Sequence, residues 1–117
     1  MNNSEKGRYY EALACDYLKR QGLHILERNY RFKRAEIDII AAQQNRLVFI
    51  EVKFRSSTRK QYPIEAVDHK KIEQIRFAAM SYLTTRRYGA DTPCRFDVIS
   101  FIGDDMTHYQ NAFGGLS

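Results

Sequence analysis

Apolar residues recur at helical spacing near the N-terminus, where Tyr10, Leu13, Ala14, Tyr17 and Leu18 fall on one side of a 3.6-residue period. Residues 4 to about 21 therefore read as an amphipathic helix, with Ser4 or Asn3 as its cap and Gly22 as its end. Glu11 precedes Ala14 by three residues and Leu18 by seven, which places a carboxylate at the edge of the inward face. After Gly22 the pattern shortens to that of strands: Ile25–Phe32, Glu36–Ala42 and Arg46–Phe54, the last two rich in Ile, Val and Phe. Residues 55–66 are polar and contain Pro63, so a mobile loop near the functional face is expected there. Helical spacing returns from Val67 to Thr85, with Asp68 as cap and Ile72, Ile75, Ala79, Tyr82 and Leu83 inward. A turn over Gly89–Pro93, a buried strand over Arg95–Ile102, and either a short edge strand or a packed segment over His108–Phe113 complete the chain, with frayed termini.

The order is α-β-β-β-α-β. Passing from the third strand through a helix to the fourth requires a crossover, which makes those two strands parallel and the connection right-handed. A helix on each side gives an α/β fold of three layers, αβα, with a mixed central sheet. At 117 residues the chain has room for a single domain, 1–117.

Strand alternation fixes a register. If the link Gln43-Gln44-Asn45 closes a hairpin with Gln43 opposite Arg46, then Ala41 meets Val48, Ile39 meets Ile50 and Ile37 meets Val52. The same register sets Asp38 opposite Glu51 and Glu36 opposite Lys53. Opposed carboxylates repel by about 0.2–1 kcal/mol, so something cationic belongs between them. Lys53 is one candidate; a hard divalent ion such as Mg²⁺ is the other. A solvated surface ion-pair network is the plainer alternative, because Asp-x12-Glu-x-Lys is a weak pattern by spacing alone.

Composition bounds the function class. The apolar fraction is 44% and the charged fraction 28%, ordinary for a folded soluble protein. No run approaches the roughly 20 apolar residues of a membrane span, and the polar start Met1–Gly7 does not read as a secretory signal. A cytoplasmic location is expected. Cys15 and Cys94 stand far apart, as do His24, His69 and His108, so reduced thiols are expected and a zinc site is not. The net charge of +5 is unevenly spread: Arg28, Arg31, Lys33 and Arg34 crowd one stretch, Arg55, Arg59 and Lys60 another, and Lys70, Lys71 and Arg76 a third. Tyr30, Phe32 and Tyr62 lie among them, a pattern suited to phosphate contacts beside stacking surfaces.

These residues also carry a resemblance. Glu11-Ala12 with Tyr17-Leu18, the run from Ile25 to Arg31, Glu36–Ala41, Leu47–Arg55, Ala66-Val67, Lys70-Lys71, Arg95–Val98 and Asn111–Phe113 resemble the YraN family of small bacterial proteins. That family in turn resembles the PD-(D/E)XK superfamily of restriction enzymes and Holliday-junction resolvases. The resemblance departs at Tyr10 and Ala35, where the family usually has Gly, and at Ile37, where the superfamily commonly has Pro. It implies the restriction-endonuclease-like fold and places Asp38, Glu51 and Lys53 on the superfamily's acidic and lysine signature, with Glu11 on its first-helix acidic position.

The expectation is then a Mg²⁺-dependent nuclease, with Mn²⁺ as a substitute, acting on DNA that is branched or single-stranded. Asp38, Glu51 and the Val52 carbonyl would hold the metal, Lys53 would orient water, Glu11 would hold a metal-bound water, and the basic residues would position the backbone. Arg95 and Asp97 read as a structural pair. A resolvase-like role would favour a homodimer. The alternatives are a nucleic-acid-binding module on the same scaffold with weak or no cleavage, and an interaction protein whose acidic cluster is only an ion-pair network.

Overall fold

The computed structural model describes residues 1–55 and 69–114. Helix α1 spans Asn3–Arg20. Asn2, rather than Asn3 or Ser4, caps it: the Asn2 side chain accepts from the Glu5 N–H while the Glu5 carboxylate accepts from the Asn2 N–H. The reciprocal bond favours Asn2 because Glu5 stands three residues on, where a capping box needs its acid. The helix ends as expected at Gly22, whose φ of 91° lets the Leu23 N–H reach the Leu18 carbonyl and the Gly22 N–H reach that of Lys19. Its buried residues are Ala14, Cys15 and Leu18, and Leu13 lies outside the inward stripe expected of it.

Strands β1 (His24–Phe32), β2 (Ala35–Gln43), β3 (Arg46–Arg55), β4 (Cys94–Ile102) and β5 (Asp105–Tyr109) form one sheet in that order. All neighbours are antiparallel except β3 and β4, which run parallel across helix α2 (His69–Thr85). The α/β order and mixed sheet are those anticipated. The edge strand starts at Asp105 rather than His108, and Phe113 packs separately, its ring 5.4 Å from that of Phe96. Val67, Asp68 and all of the expected mobile loop except Arg55 lie outside the described residues; Arg55 itself closes β3.

Two cores flank the sheet. One joins α1 to Ile39, Ala41, Val48, Ile50, Val52 and Ile99; the other joins α2 to Ile37, Ile40, Leu47, Phe49 and Phe96. Ile37 and Ile39 therefore pack on opposite faces although they are two residues apart, so the alternation of β2 breaks at Asp38. Across from this point, between the pairs Arg28–Ile39 and Tyr30–Ile37, stands Asn29 with φ of 55°. A left-handed residue in mid-strand turns the two strands together, and Asn tolerates that conformation better than most. The hairpin register from Gln43–Arg46 to Ile39–Ile50 is the expected one, but the β2–β3 ladder ends there. Ile37 does not meet Val52, and Glu36 pairs with Arg31 of β1, Nη2 to Oε2 2.9 Å, instead of facing Lys53.

Candidate functional site

Where the ladder stops, a side chain continues it. Asp38 Oδ2 accepts the Val52 N–H at 2.7 Å, so β2 and β3 are joined by a carboxylate rather than by a backbone carbonyl. The break in β2 is what frees Asp38 to turn inward, and it brings the carboxyl into hydrogen-bonding contact with Glu51. Asp38 and Glu51 thus come together, although not as paired ladder residues. In an extended strand one residue's N–H and carbonyl point to the same side, so the Val52 carbonyl also faces β2.

Glu51 is only 5% exposed, and two ammonium groups reach it: Lys71 Nζ at 3.3 Å and Lys53 Nζ at 3.6 Å from Oε2. Burial, then the charge of Glu51 and the hydrogen bond with it, push the Asp38 carboxyl up to about 9, against the Val52 N–H, which favours the carboxylate. The Asp38 carboxyl thus holds its proton far more tightly than an ordinary Asp, beside Glu51 and the two lysines.

Glu11 stands behind this pair. Its carboxyl lies 3.9 Å from Arg28 Nη2, with Asn29 hydrogen-bonded to it. Burial raises its proton affinity, Asn29 and Arg28 lower it, and the charges of Glu36 and Glu51 raise it again. Among the described residues, no three or more His, Cys, Asp or Glu side chains are gathered so as to hold a metal ion. The donor set that remains, two carboxylates and the Val52 carbonyl, fits a hard cation that retains several of its waters, as Mg²⁺ does.

The remaining expected residues that the structure describes lie on β1, on its turn and at the end of β3. Arg31 is exposed and engaged by Glu36; Lys33 and Arg34 form the exposed two-residue turn into β2; Arg55 is half-buried at the end of β3. Arg59 and Lys60 lie outside the described residues. Two contributors were not among the expected site residues. Asn29 stood in the run Ile25–Arg31 that carries the resemblance, but nothing there assigned it a role beyond its tolerance of left-handed backbone. Lys71 had a signal, because a crossover from the end of β3 must start its helix beside Glu51.

Arg95 and Asp97 form the structural pair expected. Asp97, with no exposed surface, accepts Arg95 Nε at 2.9 Å, His108 Nε2 at 2.7 Å and the Asn111 N–H at 3.0 Å. Tyr17 Oη meets His108 Nδ1 at 2.8 Å, tying α1 to β5. Cys15 is buried and Cys94 half-buried, and burial raises both thiols.

Residues 10–101 match the model of the uncharacterised protein family UPF0102. A UPF0102 protein of Lachnoclostridium phytofermentans is 42% identical over 97% of this chain and 96% of its own length. One from Clostridioides difficile is 44% identical over 97% of this chain and 100% of its own. One from Chlorobium chlorochromatii reaches 50% identity over 81% of this chain and 72% of its own length. With both ends of the site, Glu11 and Lys71, inside the matched span, the chain belongs to the uncharacterised protein family UPF0102.

Proposed function

We propose that this protein is a divalent-metal-dependent phosphodiesterase acting on DNA, built on a restriction-endonuclease-like αβα fold. The observation that carries the reading is the Asp38–Glu51 carboxyl pair, half-buried at a deliberate break between β2 and β3 with Lys53 and Lys71 against it. A solvated ion-pair network does not need a buried acid whose proton affinity reaches about 9. Perturbed acids of this kind are what catalytic sites require and what stability alone disfavours.

Asp38, Glu51 and the Val52 carbonyl would hold the cation. Once bound, it supplies Lewis acidity toward a phosphodiester and makes a water more acidic. Lys53, 29% exposed, would offset charge developing on the phosphate oxygens and orient the attacking water. Lys71, 3.3 Å from Glu51 Oε2, would share the pairing of that carboxyl with Lys53 and leave Lys53 to face the phosphate. Glu11, braced by Asn29 and Arg28, would hold a water at the back of the site. Arg31, Lys33 and Arg34 would contact the phosphates of the approaching strand.

The test is cleavage of branched, single-stranded and duplex DNA with Mg²⁺, Mn²⁺ or EDTA, using wild-type protein and the Asp38→Asn and Lys53→Ala variants. Metal-dependent cutting abolished in the first variant and reduced about 100-fold or more in the second is expected. Salt-sensitive binding without cutting in wild type would instead favour a binding module on the same scaffold.

A further inference from the structure

The groove beside α2 is not used by the carboxylate site. Phe32, Phe77, Met80, Ser81, Thr84 and Thr85 line an open space of about 340 Å³, and none of them carries a charge. Phe77 is 52% exposed and Met80 44%, so the sequence leaves two large apolar side chains facing outward from a helix whose other side is fully packed. The Phe32 and Phe77 rings lie 5.2 Å apart and tilted by 59°. Lys33 Nζ stands 5.6 Å from one ring centre and 5.7 Å from the other. Next in the chain after Thr85, the Arg86 guanidinium lies 5.2 Å from the Tyr82 ring centre and is paired with Glu27 at 2.8 Å.

We infer that this groove binds an unpaired stretch of the nucleic-acid strand, its bases stacked on Phe77 and Phe32 and an adjacent phosphate held by Lys33. The inference rests on the nucleic-acid reading above and adds the substrate class, single-stranded rather than fully paired. Aromatic faces flanked by cations are the parts a single strand needs, because every base has a face to stack and every linkage a charge to neutralise. Protein interfaces deplete Lys from their apolar centres, whereas here an ammonium sits over both rings.

Placement agrees with continuity. Phe32 pairs with Ala35, and Asp38 lies three residues further along β2, roughly 10 Å at strand rise. On the other wall, Lys71 precedes Phe77 by six residues, about 9 Å of helix. A strand leaving the carboxylate pair would enter the groove within a few nucleotides. From Phe77 to Thr85 is about 12 Å at helical rise, room for several bases at roughly 3.4 Å spacing.

The experiment compares binding of a fluorescein-labelled oligothymidylate and a duplex of equal length in EDTA, for wild type, Phe77→Leu and Phe77→Ala. Phe77 is exposed, so both variants should keep the wild-type melting temperature. Replacing the ring by Leu keeps the apolar bulk and removes the stacking face. Single-strand affinity should fall about 5- to 100-fold with duplex affinity and salt slope unchanged, and 5-iododeoxyuridine in the oligonucleotide should cross-link to the peptide containing residue 77. Wild-type binding to DNA with unaltered single-strand affinity in Phe77→Leu overturns the groove and leaves the carboxylate site standing. Absence of wild-type binding to either DNA overturns both readings. Loss of self-association in Phe77→Leu with DNA affinity intact overturns the inference and assigns the groove to a second copy of this chain.

Discussion

On the proposed reading, Asp38 would concentrate the conflict between stability and function in one side chain. Its proton affinity in the folded protein, about 9, stands far above the 3.8 of an ordinary Asp, because burial and the neighbouring Glu51 oppose its ionisation. A group with a raised folded pKa takes up its proton more readily when folded. Its favourable contribution is complete below about pH 4 and is lost as pH climbs from there through about 9. Asp38→Asn removes this penalty while retaining an oxygen for the Val52 N–H. The variant should gain about 0.5–2 kcal/mol at pH 8 in urea denaturation, with the gain vanishing near pH 4, while metal-dependent cleavage disappears. A variant less stable than wild type at pH 8 would refute the penalty. Metal binding to wild type should release a proton and tighten with rising pH over the same range. At this scale the sequence was partly legible. Asp38, Glu51 and Lys53 stood out because opposed carboxylates demand a cation. Lys71 and Asn29 did not, since one depends on where a helix starts and the other on a single left-handed φ.

Among the elements, β2 departs furthest from what alternation alone implies. The hairpin register was readable because apolar matching on one face admits no slip, and Gln43–Arg46 through Ile39–Ile50 follow it. The failure begins at Asp38. Asn29 and Asp38 turn β1 and β2 together, sending Ile37 to the α2 face, and neither residue's composition announces this. Helix α2 and the parallel β3–β4 pair followed from the crossover alone, whereas the first residue of β5 did not, because a five-residue edge strand has little pattern to read. What fixes that edge is Asp97, held ionised by hydrogen bonds from His108, Arg95 and the Asn111 N–H that outweigh its burial. The carboxylate can only accept, so His108 Nε2 carries a proton toward Asp97 while Nδ1 meets the Tyr17 hydroxyl. Asp97→Asn leaves Arg95, 12% exposed, without its partner charge and should cost about 3–5 kcal/mol in urea denaturation. Because the folded pKa of Asp97 is depressed, that contribution is present at neutral pH and should fade as the solution is acidified below the ordinary carboxylate range. A loss under 1 kcal/mol, by the same measurement, would show that the network does not hold β5 to α1.

Across the whole molecule, the sheet separates two cationic ends. Lys33 and Arg34 turn the chain from β1 into β2, while Arg46 starts β3 opposite Gln43 at the far end of the same hairpin. Eight strand steps separate Ala35 from Gln43, roughly 27 Å, about three Debye lengths at physiological salt. Charges at the two ends would therefore act independently on the phosphate chain of the proposed substrate, and a net charge of +5 is by itself uninformative about where that chain would lie. The carboxylate pair sits near the Lys33 end, three residues from Ala35, so phosphates drawn to the site should be counted there. Each phosphate contact steepens the fall of affinity with salt by about 0.9 on logarithmic axes for duplex and about 0.7 for a single strand. Lys33→Gln with Arg34→Gln should flatten the slope for a single-stranded oligonucleotide by about 1.4, and Arg46→Gln should leave it unaltered. Both changes fall on exposed turn or strand-end positions, so folding is not at issue. Equal flattening by Arg46→Gln would mean that DNA is held by diffuse charge over the whole surface, and the sheet end bearing Asp38 and Glu51 would lose its claim to be where a strand is brought for cutting.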